Sequence, residues 1–509
     1  MFQYQRANGA RHFHPLVRAQ GQVNETHYNQ SIMHLSSPVR HFHKSHPVLL
    51  SLLVASILPA AADVRLPNIF TDNMLLQRDM PVRIWGWADA GEAVSVALMG
   101  TTAATKADDK GQWSLELPAM KSGENLELTV HGNNSVTLKN LVIGDIWVCS
   151  GQSNMAMALK PCLGAAEDIQ AADLPKIRHI KIKNVKSGQP EADTQTATPW
   201  QVCTPASAPG FTAVGFYFAR EIQQKTGVPI GIIDTNWGGT RIEPWTCSEE
   251  SAPVNTKAGS GELYNAMIHP LVKLPIKGAL WYQGEANGKE GETYFDKMRA
   301  LIGGWRKQWN EGDFPFYYVQ LANYQAPSVD PAGGNGWAKL REAQIKALTI
   351  ANTGMAVIID TVPLAQSGNI HPVNKFDVGL RLARWALARD YGQKDLEVSG
   401  PLFKALSIEG GKARVEFGHA GSGLMLGKKD GRGTVVESKG EKLNRIAIAG
   451  ADQKWFWAEA VIDNNTLVVS SPEVKEPVAV RYGFEMNPDG ANLYNKDGLP
   501  ASPFRSDAW

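Results

Sequence analysis

Excess charge of one sign is missing from this 509-residue sequence, in which 51 Lys and Arg face 50 Asp and Glu for a formal net charge of +1. A protein built to hold nucleic acid carries a strongly basic surface, so the balance argues against that class. Cysteine is scarce: Cys149, Cys162, Cys203 and Cys247 are the only four, and none stands in a CxxC or zinc-ligand spacing. A Cys162–Cys203 disulfide and free buried thiols both remain open on spacing alone. No apolar run reaches the roughly 20 residues that cross a bilayer, so no transmembrane helix is expected. No internal repeat is visible. What is present is ordinary globular material, 43% apolar and 20% charged, which excludes wholesale disorder. At roughly 100–200 residues per domain the length predicts two to four domains with full cores.

The first 62 residues read differently from the rest. They hold seven of the twelve histidines. Arg40 and Lys44 precede an apolar run, Val48 to Leu58, and Pro59-Ala60-Ala61-Ala62-Asp63 follows it. A basic flank, a short apolar core and a small-residue end predict a secretory signal peptide cleaved after Ala62, and hence a secreted or periplasmic protein. A start at Met33 gives a signal of normal length, so residues 1–32 read as a mis-assigned extension; the alternative is a His-rich metal-binding tail. Without residues 1–62 the chain has 46 basic against 49 acidic side chains, a net charge of −3. Five histidines remain: His131, His179, His269, His371 and His419.

Three regions follow. Residues 63–140 alternate apolar and polar positions over Pro81–Trp87, Ala93–Leu98 and Trp113–Leu117, with turns between, which predicts a small β-sandwich. Over 141–397, apolar runs at Leu141–Cys149, Ile177–Ile182, Val228–Asp234, Ile276–Tyr282, Phe314–Leu321 and Met355–Asp360 alternate with helical stretches. The helices are expected at Thr212–Thr226, Tyr294–Trp309, Trp337–Leu348 and Asn374–Tyr391. Runs buried on both faces predict a parallel sheet with helices on either side, and sites in such sheets form at the carboxyl ends of strands. Residues 398–509 return to short strands such as Ala413–Phe417, Leu443–Ala449 and Thr466–Ser470.

The chemistry-bearing residues lie at those strand ends. The first run leads into Ser150-Gly151-Gln152-Ser153-Asn154-Met155. A serine in a glycine turn after a buried strand can expose its hydroxyl beside free backbone N–H groups, as a nucleophile requires; the bland alternative is a helix N-cap. The third run ends in Trp237-Gly238-Gly239-Thr240, where a free N–H can hold an oxyanion or simply close a tight turn. The fourth ends in Gln283-Gly284-Glu285-Ala286-Asn287, whose amides either cap the loop or donate to a developing charge, worth about 3–4 kcal/mol per donor. The sixth ends at Asp360, and Asn369-Ile370-His371-Pro372 follows. Of the five histidines only His269 and His371 fall near strand-end loops of the α/β region, and His371, opening a helix after a loop, can reach across the sheet edge toward Ser153 as a general base.

The ordered blocks Ser-Gly-Gln-Ser-Asn-Met (150–155), Trp-Gly-Gly-Thr (237–240), Trp-Tyr-Gln-Gly-Glu (281–285) and Ile-His-Pro (370–372) resemble the sialate O-acetylesterase branch of the SGNH hydrolases. The likeness extends to Met74-Leu75-Leu76-Gln77-Arg78 near the start and Asn492-Leu493-Tyr494-Asn495 near the end. It implies a flavodoxin-like three-layer α/β/α catalytic domain flanked by β-sandwich-like regions. It also implies Ser153 as nucleophile, His371 as base, and the backbone N–H groups of Ser153 and Gly239 as oxyanion donors, with Gln283 or Asn287 adding an amide. The implied reaction is hydrolysis of an O-acetyl ester on a sugar through an acetyl-serine, with no metal or cofactor and with an O-acetylated carbohydrate as partner rather than nucleic acid or membrane. Arg241 and Glu285 are the substrate-binding candidates, Arg241 as a fork for the carboxylate of sialic acid. The family often carries an acid beside the histidine, whereas this chain has Gly368 and Asn369. Asn369 can orient an imidazole without neutralising it, Asp360 can take the acid's place, or the pair works as a dyad. Acetylated plant polysaccharide such as xylan is an alternative substrate, and a disabled sugar-binding protein the alternative of another class.

Overall fold

The computed structural model describes residues 63–247 and 261–509; the expected signal segment and its cleavage point after Ala62 lie outside the described residues. The apolar run expected at Leu141–Cys149 is the buried half of a 17-residue strand, β1 (Ser135–Gly151). From Leu141 onward it is covered on both faces, which explains its unbroken apolar sequence. Beyond it lie β2 (Leu174–Ile182), β3 (Thr196–Cys203), β4 (Ile230–Asn236), β5 (Gly278–Tyr282), β6 (Phe316–Val319) and β7 (Thr353–Ala356), in the spatial order β7-β6-β5-β1-β4-β2-β3. All neighbours are parallel except β2 and β3.

Register decides where the site forms. Asn236 at the end of β4 and Tyr282 at the end of β5 both pair with Gly151 at the end of β1. The turns after these three strands therefore open side by side at one carboxyl edge.

Helices α1 (Ser153–Ala156), α2 (Ala213–Thr226), α3 (Tyr294–Trp309), α4 (Gly336–Lys346) and α5 (Lys375–Arg389) complete the α/β layers, close to the periodic stretches of the sequence. α2 stops where Gly227 takes a left-handed conformation at φ +73°, and α3 where Asn310 does so at +56°. Strand β7 is shorter than the run Met355–Asp360 implies. Arg381 on α5 takes the Val357 carbonyl at 2.7 Å, so a side chain replaces the ladder there.

On the N-terminal side, Val82–Trp87 pairs with Gln112–Leu117, and Ala93–Leu98 with Thr101–Lys106 and Gly123–His131. Gly123–His131 then pairs with the first part of β1, while Leu75–Gln77 runs parallel to Val142–Gly144. One strand thus crosses position 140 unbroken and serves both sheets' neighbours. Residues 402–505 supply further antiparallel strands around a core that includes Val415, Ile448, Val469 and Tyr482. All four cysteines are buried and free, so the Cys162–Cys203 pairing does not occur. Among the described residues no helix is long and apolar enough to cross a membrane.

Candidate active site

Gly151 sets the first turn. Its φ is +131°, and a Cβ there would stand 2.2 Å from the Tyr282 carbonyl oxygen, so neither the conformation nor the space admits a side chain. The Gln152 N–H donates to Tyr282 O at 3.0 Å, and α1 begins at Ser153. Ser153, half-buried, carries its Oγ 2.8 Å from Nε2 of His371, across 218 residues of sequence. Burial, followed by the charge of Lys375, holds the His371 imidazole below its ordinary value. Among the described residues no carboxylate contributes to that shift.

The N–H groups of Ser153 and Gly239 donate to no protein acceptor among the described hydrogen bonds. Gly238 lies against Ser153, where a Cβ would approach the serine Cβ at 3.4 Å; Gly239 follows at φ +75° with open space on its Cβ side. The turn after β4 therefore faces the serine with an unused donor and room beside it.

The amide candidates occupy a different role. Gln283, fully buried, turns its Nε2 toward Gln152 Oε1, Thr240 O and Asn287 Oδ1, while its Oε1 accepts from the Tyr294 hydroxyl at 2.7 Å. Asn287 accepts from the Ile242 N–H and directs its Nδ2 at Glu243 and Glu290. Both amides brace the three turns against each other.

Asn369 accepts the His371 backbone N–H at 3.0 Å, so it shapes the loop rather than contacting the ring. Asp360 lies in the turn four residues beyond the end of β7 rather than at the strand end, and both its oxygens are bound by Arg381 at 2.6 and 2.8 Å. That guanidinium is itself buried, and the carboxylate raises its pKa against burial. Neither residue forms a hydrogen bond to the imidazole. Arg241, about half exposed, pairs with Glu243 at 2.9 Å and with Glu290, and Lys297 binds the same two carboxylates. Its charge is therefore already matched. Glu285 points inward: its Oε1 accepts from Asn154 Nδ2. His269 is bonded to the Glu191 carbonyl and takes no part. Among the described residues no group of three or more His, Cys, Asp or Glu side chains comes together to hold a metal.

Two residues at the site escaped sequence reasoning. Asn154 donates its second Nδ2 hydrogen to the Ile370 carbonyl at 3.0 Å, and Lys375, with no solvent exposure, donates to Asn154 Oδ1 at 2.6 Å. A signal for Lys375 did exist: a lysine in the first turn of α5 opposes the helix dipole.

Residues 143–387 match the family model "Carbohydrate esterase, sialic acid-specific acetylesterase". The chain is 28% identical to a sialate O-acetylesterase of Homo sapiens over 515 residues, covering 90% of this chain and 95% of that protein. The Rattus norvegicus protein of the same name is 28% identical over 541 residues, covering 90% and 97%. A crystal structure of a carbohydrate acetylesterase from Xanthomonas citri superposes with a TM-score of 0.81 at 41% identity, covering 88% of this chain and all of that one. The parallel sheet of this chain, with its flanking helices, is the SGNH-type α/β architecture expected of the sequence motifs. Likeness of that extent, joined to a serine and a histidine in contact at the sheet edge, places the chain in the carbohydrate esterase family of sialic acid-specific acetylesterases, as a carboxylic ester hydrolase.

Proposed function

We propose that the protein removes O-acetyl groups from sugars through an acetyl-serine intermediate. The observation that carries this reading is the 2.8 Å contact between Ser153 Oγ and His371 Nε2. The imidazole, kept neutral by its lowered pKa, takes the hydroxyl proton as Oγ attacks the acetyl carbonyl. The oxyanion that forms meets the unused N–H groups of Ser153 and Gly239. The tetrahedral intermediate collapses, the sugar oxygen leaves with the proton from His371, and water then releases acetate by the same steps in reverse. The pair works as a dyad, with the loop geometry replacing a carboxylate as the orienting element. The amino-terminal segment directs the protein out of the cytoplasm, to the periplasm or the medium.

Sialic acid is the substrate named for the mammalian relatives, and the carbohydrate named without further detail is that of the Xanthomonas relative. The pairing of Arg241 with Glu290 and Glu243 favours neutral acetylated sugars, xylan among them, over an anionic sialate, because a substrate carboxylate would have to displace those partners. Acetate release from a chromogenic acetate, O-acetyl sialic acid and acetyl xylan tests both parts. Ser153→Ala is expected to lower turnover by at least about a thousandfold on each. Turnover unchanged by that substitution would refute the esterase mechanism, and a preference for sialate would refute the neutral-sugar reading.

A further inference from the structure

A lysine with no solvent exposure needs a reason, because burying an ammonium is costly unless it is paired. Lys375 opens α5, and its Nζ donates to Asn154 Oδ1 at 2.6 Å and lies 5.0 Å from the centre of the Tyr282 ring. Titratable groups face it from every element around it: Glu285 after β5, Cys162 beyond α1, His371 before α5, and Tyr282 at the end of β5. Burial brings the Lys375 pKa down to about 7 against the pull of Cys162 and Glu285. Glu285 reaches the same amide from the other side, its Oε1 accepting from Asn154 Nδ2. The residue is partly exposed, but its Oε2 is shielded from solvent and has no hydrogen-bond partner among the described residues.

The amide these two residues grip is a cross-brace. Asn154 adjoins Ser153, and its other Nδ2 hydrogen holds the carbonyl of Ile370, which adjoins His371. A side-chain amide is nearly symmetric in shape and differs only in which end donates. Flipped, Asn154 would set its oxygen against the oxygens of Glu285 and Ile370 and its NH2 against the ammonium of Lys375. A cation on the oxygen and a carboxylate on the nitrogen leave one orientation.

We propose that Lys375 and Glu285 are positioning residues of the hydrolase: by locking the Asn154 amide from opposite sides they hold the His371 loop against Ser153, the task that an acid beside the histidine performs in a serine triad. The inference rests on the Ser153–His371 reading above. The ammonium has a second effect, since a nearby cation disfavours the imidazolium and keeps the base free at lower pH.

The test compares wild type, Lys375→Met and the isosteric Glu285→Gln in the full chain. The readings are kcat and KM on a chromogenic acetate, the pH profile of kcat/KM, and the NMR titration of the His371 imidazole. In both variants kcat is expected to fall at least tenfold with KM within threefold. In Lys375→Met the His371 midpoint and the acidic limb both move to higher pH, toward the ordinary imidazole value. A folded variant with kcat within twofold of wild type, or a His371 midpoint unmoved in folded Lys375→Met, overturns the proposal. If Lys375→Met does not fold, the Glu285→Gln kcat decides it. The NMR titration needs no turnover, so it separates failure of this inference from failure of the esterase reading, which Ser153→Ala reports.

Discussion

His371 has its Nε2 on Ser153 and, among the described residues, no carboxylate on its other face. Its pKa is lowered by burial and by Lys375, so the neutral imidazole persists below the ordinary value, and the acidic limb of kcat/KM is expected on the acid side of that value. Asn369→Asp supplies the acid that related sequences carry. The new carboxylate can accept the same His371 backbone N–H, and its charge favours the imidazolium. Turnover is therefore expected to stay within about threefold of wild type or rise, with the acidic limb displaced to higher pH. A loss beyond tenfold in a folded protein, seen in steady-state kinetics, would count against a His-orienting role for position 369. At this scale motif order picked out Ser153, His371 and Gly239 as candidates, and the structure brings the first two into contact. The sequence could not disclose that Gln283 and Asn287 spend their amides on Gln152, Thr240, Glu243 and each other, because those partners lie on the three separate turns after β1, β4 and β5.

At the scale of elements, the strands and helices of the α/β region were legible because burial on both faces writes a continuous apolar run and amphipathic packing writes a period near 3.6. Tyr294–Trp309 was read to the residue. What stayed hidden was how side chains end or pin elements. Arg381 shortens β7 by taking the Val357 carbonyl. Arg341 on α4, wholly buried, donates to the carbonyls of Leu321 and Ala322 after β6 and of Glu485 and Met486 near the C-terminus. Its sequence neighbourhood is that of any helical arginine. Arg341→Met keeps the volume roughly but removes a buried donor from four carbonyls and leaves those of Leu321 and Glu485 without any other, since Trp337 still donates to Ala322 and Tyr324 to Met486, so a destabilisation of about 3–5 kcal/mol is expected in urea unfolding. A change below about 1 kcal/mol would mean that water takes over those acceptors.

Across the whole molecule, β1 is the shared member: its first part pairs with Gly123–His131 and its second with β4 and β5. A division at 140/141, where the sequence changes from alternating to continuous apolar, falls inside this strand. A chain beginning at 141 loses both Leu75–Gln77 and Gly123–His131 as partners and exposes an apolar edge. It is expected to be insoluble, whereas the chain from 63 unfolds with coincident transitions by fluorescence and circular dichroism. A soluble, active fragment from 141 would contradict that shared role.

The four cysteines, each buried and each alone, make the fold indifferent to the redox poise around it. Burial raises the thiols of Cys149, Cys162 and Cys203, so little thiolate is available to oxidants or alkylating agents. A chain in this form needs no disulfide oxidase or isomerase to mature. It reaches the same active shape in a reducing cytoplasm as in an oxidising medium, and a thiol reagent finds sulfur only after the chain has opened.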